Sequence, residues 1–268
     1  MERYGLVIGC NYFDSPYELS GCINDTKMLR RWLLKKGFSK NNVTVLRDDG
    51  NGYIGYMEGK ISDTVPTKKN IIDSLKTLIT LANSSKSSSK VELFFSYSGH
   101  GTYVTDVNKD EKDGKDEAIV PVDCDKNGYI VDDEFRGIFK NLKSQIKCYT
   151  IMDCCHSGTN LDLPFAYELD IIKKKIILKE NSEKNHKELK GKQIFEISGC
   201  RDAQTSADLG IAYDTDKNID SIDKNDVIDD SERAGGALTS SLMKIWNTDL
   251  SDIQNVYKQL LSWNFKTK

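Results

Sequence analysis

Two apolar runs in this chain stop abruptly in reactive polar residues, and that pattern limits the folds open to it. One is Val91-Glu-Leu-Phe-Phe-Ser-Tyr-Ser-Gly-His-Gly101; the other is Cys148-Tyr-Thr-Ile-Met-Asp-Cys-Cys-His-Ser-Gly158. A short, partly β-branched apolar run that ends this way reads as a buried strand delivering a side chain to the edge of a sheet. In open parallel sheets, ligands sit beyond the carboxyl ends of the strands. Two such strands side by side would bring His100 and Cys155 together. There an imidazole takes the proton of a thiol and leaves a strong nucleophile.

The other histidines serve this role less well. His186 lies in a lysine-rich stretch, and His156 is the chain neighbour of Cys155. Successive side chains leaving a strand point apart, so His156 is poorly placed to activate Cys155. The residue types alone leave Cys154 and Cys155 both open as the nucleophile. If Ile151 and Asp153 share a face, Cys154 turns the other way and packs as a small apolar residue.

Around these motifs the pattern alternates strand and helix. Tyr4–Gly9 reads as a first strand. The helix after Gly21-Cys-Ile-Asn-Asp25 carries Ile23, Met28, Leu29, Trp32 and Leu33, and stops at Lys35, Lys36 and Gly37. Val43–Leu46 is a second strand. Pro66-Thr67 opens a helix with Ile71, Ile72, Leu75, Leu78, Ile79 and Ala82 on one face, and the His100 strand follows. A strand over Ala118–Val122 and a helix over 132–142 precede the Cys155 strand. Ile194–Ser198 is the last core strand, before two C-terminal helices. This order predicts parallel crossover units in an α/β fold.

The 268 residues suffice for a single domain, 1–268. Eight lysines between Lys173 and Lys192 mark 166–192 as a linker between a larger part, 1–165, and a smaller one, 193–268. A net charge of −3 gives no general attraction to nucleic acid, and no apolar run approaches a membrane span. No signal-peptide pattern opens the chain, and its seven cysteines are scattered and odd in number. They read as reduced thiols of a cytoplasmic protein, expected to act as a monomer.

Eleven acidic residues lie between Asp106 and Glu134. Within them Asp123-Cys-Asp-Lys-Asn-Gly-Tyr-Ile-Val-Asp-Asp-Glu134 fits the EF-hand loop pattern residue for residue. The preceding Ile119-Val-Pro-Val122 is strand-like, however, where an EF-hand has a helix. A solvated acidic loop is the plainer alternative. Zinc is not expected, because no Cys/His pair has ligand spacing and Cys154, Cys155 and His156 cannot all face one metal.

Tyr97-Ser-Gly-His-Gly101 and Asp153-Cys-Cys-His-Ser-Gly158 resemble the two catalytic motifs of the metacaspases, caspase-like cysteine proteases. The separation of 55 residues suits the caspase-like layout, and the animal-caspase signature Gln-Ala-Cys is absent. Leu19–Asp25, Ile197–Asp208 and Gly235–Thr239 extend the resemblance over nearly the whole chain. It is to type I members, with no proline-rich prodomain expected before a first strand that starts at Tyr4.

The resemblance implies a mostly parallel sheet flanked by helices in three α/β/α layers, and a His100/Cys155 dyad. The oxyanion would be held by the backbone N–H groups of Gly101 and Cys155. It further implies a Ca²⁺ site at Asp116, Asp132, Asp133 and Asp162, and a substrate pocket at Cys22, Asp25, Ser98 and Asp153. Metacaspases cut after Arg or Lys, and two carboxylates in one pocket suit a guanidinium or an ammonium. The expected activity is therefore calcium-activated cleavage of protein or peptide substrates after Arg or Lys, with self-processing in 173–192. Two other readings are a calcium-responsive scaffold without proteolysis and a caspase-like hydrolase of other specificity.

Overall fold

The computed structural model describes residues 1–86, 91–106, 114–155, 161, 163, 165–170, 175–180, 188–198, 208–209, 235–236, 238–239 and 242. Its elements run β1 (Glu2–Gly9), α1 (Cys22–Lys35), β2 (Val43–Arg47), α2 (Lys68–Ser84), β3 (Val91–Ser98), β4 (Gly101–Thr105) and β5 (Lys115–Ile119). They continue with α3 (Cys124–Asn127), β6 (Ile130–Val131), α4 (Asp132–Phe139), β7 (Lys147–Asp153), β8 (Phe165–Asp170), β9 (Lys175–Glu180), β10 (Gln193–Ser198), β11 (Asp208–Leu209) and β12 (Gly235–Gly236).

Five strands form one parallel sheet in the order β10-β7-β3-β1-β2. Side chains alternate across it, as the period of a strand requires. Leu6, Ile8, Leu93, Phe95, Tyr97, Cys148 and Met152 pack with α2 and α4 on one face. Val7, Val43, Val45, Phe94 and Ile151 pack with Met28, Leu29, Trp32 and Leu33 of α1 on the other. Helices on both faces make the three-layer, caspase-like α/β/α fold that the resemblance implies, on the parallel strands that the alternation predicts. Both faces being covered explains why β1 and β3 read as near-continuous apolar runs.

Three boundaries differ from the sequence reading. The strand expected at 118–122 is Lys115–Ile119, and it joins β4 and β6 in a small antiparallel sheet rather than the core. Pro121 has no N–H to continue a ladder, and Thr102-Tyr-Val-Thr105 supplies the β-prone partner. The helix expected over 132–142 ends at Phe139. In the lysine-rich stretch, β8 and β9 pair antiparallel from Phe165↔Glu180 to Asp170↔Lys175. The lysine count had hidden the apolar triplet Ile176-Ile-Leu178. The two C-terminal helices lie outside the described residues, apart from helical backbone at 238–239 and 242. Among the described residues no helix is long and apolar enough to cross a membrane.

Candidate active site

The two motif strands are neighbours. β3 and β7 pair in parallel with Ser98 opposite Asp153, and Gly99 N–H donates to the Asp153 carbonyl at 3.3 Å. Alternation then sorts the two cysteines. Ile151 packs on the α1 face, whereas Cys154 is 1% exposed in the cluster under α2 and α4. Cys155 follows at the sheet edge, half-buried. His156 lies outside the described residues.

Gly101 sits directly against Cys155. A Cβ at position 101 would lie 1.9 Å from the Cys155 carbonyl oxygen and 3.4 Å from Cys154 Sγ. Only glycine allows that approach. The neighbour found there is the main chain of Cys155. Val120 N–H donates to the His100 carbonyl at 3.1 Å, which makes Gly101↔Ile119 a non-hydrogen-bonded pair of the β4–β5 ladder. The Gly101 N–H is therefore directed away from β5.

His100 is held from three sides. Its Nε2 is 2.7 Å from the Tyr17 carbonyl, an acceptor only, so Nε2 carries a proton and Nδ1 is the nitrogen that bears the lone pair in the neutral ring. Its backbone N–H donates to the Tyr12 hydroxyl at 2.9 Å, and the Tyr12 and His100 rings lie 4.8 Å apart. Beneath, the Tyr97 hydroxyl reaches the Tyr12 hydroxyl (2.8 Å) and the His100 carbonyl (2.9 Å). Burial pushes both phenols well above their usual range, so they remain protonated donors. Tyr12, Tyr17 and Tyr97 were missed as functional residues. The available signal was Asn11-Tyr12 at the end of β1, on the same sheet edge as the motif strands.

The positions expected to line a substrate pocket, Cys22, Asp25, Ser98 and Asp153, are buried around the same edge. Asp25, 0% exposed in the first turn of α1, accepts from Ser98 Oγ at 2.5 Å. Asp153 Oδ2 accepts from Thr239 N–H at 2.9 Å, tying β7 to the small C-terminal part. Cys22 opens α1, and a Cβ on Gly9 would meet its carbonyl oxygen at 2.4 Å. Glycine at the end of β1 thus lets α1 start close to the sheet.

Residues 3–164 match the family profile described as metacaspase, peptidase C14 domain. The chain belongs to the metacaspase family. Metacaspase-1 of Scheffersomyces stipitis is 30% identical over 287 residues, covering 92% of this chain and 63% of that protein. Metacaspase-1 of Eremothecium gossypii is 39% identical over 168 residues, 62% of this chain and 34% of the relative. This metacaspase thus spans between about a third and two thirds of these relatives' length. Among solved structures, protein GSU0716 from Geobacter sulfurreducens has a TM-score of 0.56 at 21% identity, over 97% of this chain and 88% of that one. That last likeness is one of fold.

The acidic residues of this metacaspase divide between two places. Asp116 and Glu117 precede Ala118 in β5, which pairs with Val131, and Asp132 and Asp133 follow Val131 and open α4. Asp116 is 7% exposed and Asp132 1%; Asp133 pairs with Arg136, and its N–H donates to Asp132 Oδ1 at 2.7 Å. Oxygen donors of this kind fit a hard cation such as Ca²⁺, which takes six to eight of them. The fit is partial: among the described residues no group of three or more His, Cys, Asp or Glu forms a metal site, and Asp162 lies outside them.

The EF-hand-like loop has other work. Asp123 Oδ1 accepts from Lys68 N–H at the start of α2 (2.7 Å), and its Oδ2 accepts from Asn127 Nδ2 (2.7 Å). Lys68 Nζ donates to the Tyr129 carbonyl (2.5 Å) and to Glu134 Oε2 (2.9 Å). The first and last acidic positions of the loop are thus bonded to α2, an arrangement that joins α2 to α4.

Proposed function

We propose that this metacaspase is a calcium-activated cysteine endopeptidase that cuts proteins after Arg or Lys, acting as a cytoplasmic monomer. The observation that carries the reading is the contact of Gly101 with Cys155 beside a His100 whose Nε2 is fixed on the Tyr17 carbonyl. The unprotonated Nδ1 takes the proton of Cys155 Sγ, and the thiolate adds to the substrate carbonyl. The N–H groups of Gly101 and Cys155 receive the oxyanion. The imidazolium then protonates the leaving amine, which departs as the carbonyl re-forms in a thioester. Water, deprotonated by the same nitrogen, hydrolyses the thioester and returns the thiol. The six described cysteines are not joined in disulfides, in keeping with a reducing compartment.

Specificity for a basic residue rests on Asp25 and Asp153, two buried carboxylates at the same edge, with Ser98 and Cys22 beside them. Asp25→Asn should lower kcat/KM for a reporter peptide ending in Arg by about 100-fold, the scale of removing one partner of a desolvated charge pair. Steady-state kinetics on Arg and uncharged reporters checks this. An Arg preference left intact would remove Asp25 from the pocket.

Calcium would be held by Asp116, Asp132, Asp133 and Asp162. A cation held there would offset the mutual repulsion of the carboxylates, with Asp162 carried seven residues past Cys155. Asp132→Ala and Asp162→Ala should lose the Ca²⁺ response in activity and in calorimetric titration. Asp123→Ala should keep that response but lower stability by about 1 kcal/mol, because it removes the acceptor at the start of α2. A Ca²⁺ response lost in Asp123→Ala and kept in Asp162→Ala would move the site to the EF-hand-like loop.

A further inference from the structure

The segment Cys10-Asn-Tyr-Phe-Asp-Ser-Pro-Tyr-Glu-Leu19 leaves the sheet at the end of β1, at the same edge as the ends of β3 and β7. Nothing in its sequence gives it regular structure, and Tyr12 and Asp14 adopt left-handed backbone with φ of 54° and 59°. For a residue other than glycine this conformation costs about 1–2 kcal/mol, so a neighbour must hold it in place.

That neighbour is Asp48, the first residue after β2. Its Oδ1 accepts from Asn11 N–H at 3.0 Å, and its Oδ2 accepts from Tyr12 N–H at 2.5 Å. Two successive backbone N–H groups converging on one carboxylate form an anion nest. Held this way, Tyr12 presents its hydroxyl to His100 N–H and its ring to the imidazole. Five residues on, the Tyr17 carbonyl meets His100 Nε2. Asn11 fastens the far end. Its carbonyl accepts from Leu19 N–H at 2.7 Å, and its Oδ1 accepts from Ile23 N–H of α1 at 3.2 Å.

We propose that Asp48 is a positioning residue for the peptidase reaction: its carboxylate holds residues 10–19 in the shape that clamps His100 between the Tyr12 hydroxyl and the Tyr17 carbonyl. The inference rests on the reading of His100 and Cys155 as the catalytic pair. A carboxylate is required because both groups facing it are donors. An amide would accept from one and turn its own NH₂ against the other.

Burial raises the Asp48 carboxyl above its usual range; the two N–H groups act in the opposite direction, and nearby Asp49 adds to the rise. Among the described residues the titratable groups beside Asp48 are Cys10 and Asp49; Tyr12 and Tyr17 lie against the His100 ring, with Tyr97 behind Tyr12, and Cys155 is its partner in the catalytic pair. If the clamp relaxes, Nε2–H loses the carbonyl that stabilises the imidazolium and fixes the tautomer. The thiolate–imidazolium pair weakens, and the thiol becomes harder to ionise.

The experiment measures the rate at which iodoacetamide alkylates Cys155 across pH, read by peptide mass spectrometry, alongside kcat and KM for peptide hydrolysis with Ca²⁺. Wild-type Cys155 should react well below the ordinary thiol range of about 8.5. Asp48→Asn should move the midpoint up by about one pH unit and lower kcat by about tenfold, with KM changed less than twofold. Tyr12→Phe keeps the ring and the nest but removes the hydroxyl, and should shift both in the same direction by less. Asp49→Asn breaks the adjacent pair with Arg47 and should leave the midpoint in place.

An Asp48→Asn protein with the wild-type midpoint and kcat, whatever its melting temperature, would overturn the proposal. If Asp48→Asn does not fold, an unmoved midpoint in Tyr12→Phe overturns it instead. A wild type whose Cys155 titrates as an ordinary thiol defeats the catalytic pair itself and this proposal with it. That result is distinct from a low wild-type midpoint that the variants fail to move.

Discussion

Cys155→Ala should leave no measurable peptidase activity, a loss on the order of 10⁴-fold or more, as expected when a nucleophile is removed. Cys154→Ala should retain most activity and lose about 1 kcal/mol of stability, because Cys154 is a packed side chain under α2 and α4. The two neighbours separate because strand alternation sends Cys154 into that core. The same variant tests self-processing. With Ca²⁺, wild-type protein should yield new N-termini after lysines in 173–192, mapped by mass spectrometry, and Cys155→Ala should yield none. Lys175–Glu180 is a paired strand, so cuts are expected first on either side of it. Equal losses in the two variants would contradict the assignment of the nucleophile.

Gly101→Ala should also be damaging, although alanine is chemically inert. The added Cβ would stand 1.9 Å from the Cys155 carbonyl oxygen and 3.0 Å from its carbon, both backbone atoms with no rotamer to escape into. One of the two strand ends must move by more than an ångström. A displacement of that size costs about 100-fold in rate, and overpacking costs about 1–3 kcal/mol in stability. Gly137→Ala is the control. It lies within α4 with nothing within 4 Å of the added methyl, and alanine is the better helix former. Melting curves and kcat/KM for both variants decide the matter. A Gly101→Ala enzyme with wild-type kinetics would mean that the strand ends are not held against one another.

Much of this arrangement was legible before any coordinates. The apolar runs ending at Ser98 and Asp153 predicted two buried parallel strands with polar ends at one edge, and β3 and β7 are neighbours with those residues opposite each other. Local pattern sufficed there because a strand covered on both faces has a distinctive composition. The alternation of Ile151 and Cys154 was readable for the same reason.

What the sequence concealed depends on contacts between distant segments. Tyr12 reaches His100 across 88 residues, and Asp48 reaches Tyr12 across 36. No periodicity encodes either. The EF-hand-like loop shows the reverse failure. Its residue pattern fits a calcium site, yet Lys68, 55 residues before Asp123, bonds to its first and last acidic positions. A short motif records which donors are available, and the fold decides what they bind. Likewise the lysines of 173–192 mark a linker, while the apolar residues among them belong to β9.

The proposed calcium-dependent cleavage after a basic residue can be read in one assay. Matched reporter peptides ending in Arg, Lys or Asp are incubated with the protein in millimolar Ca²⁺ or in chelator, and release of the reporter is followed. The Arg and Lys peptides should be cleaved in Ca²⁺ only, with the Asp peptide intact in both. Cleavage of the Asp peptide, or equal rates in Ca²⁺ and chelator, would contradict it.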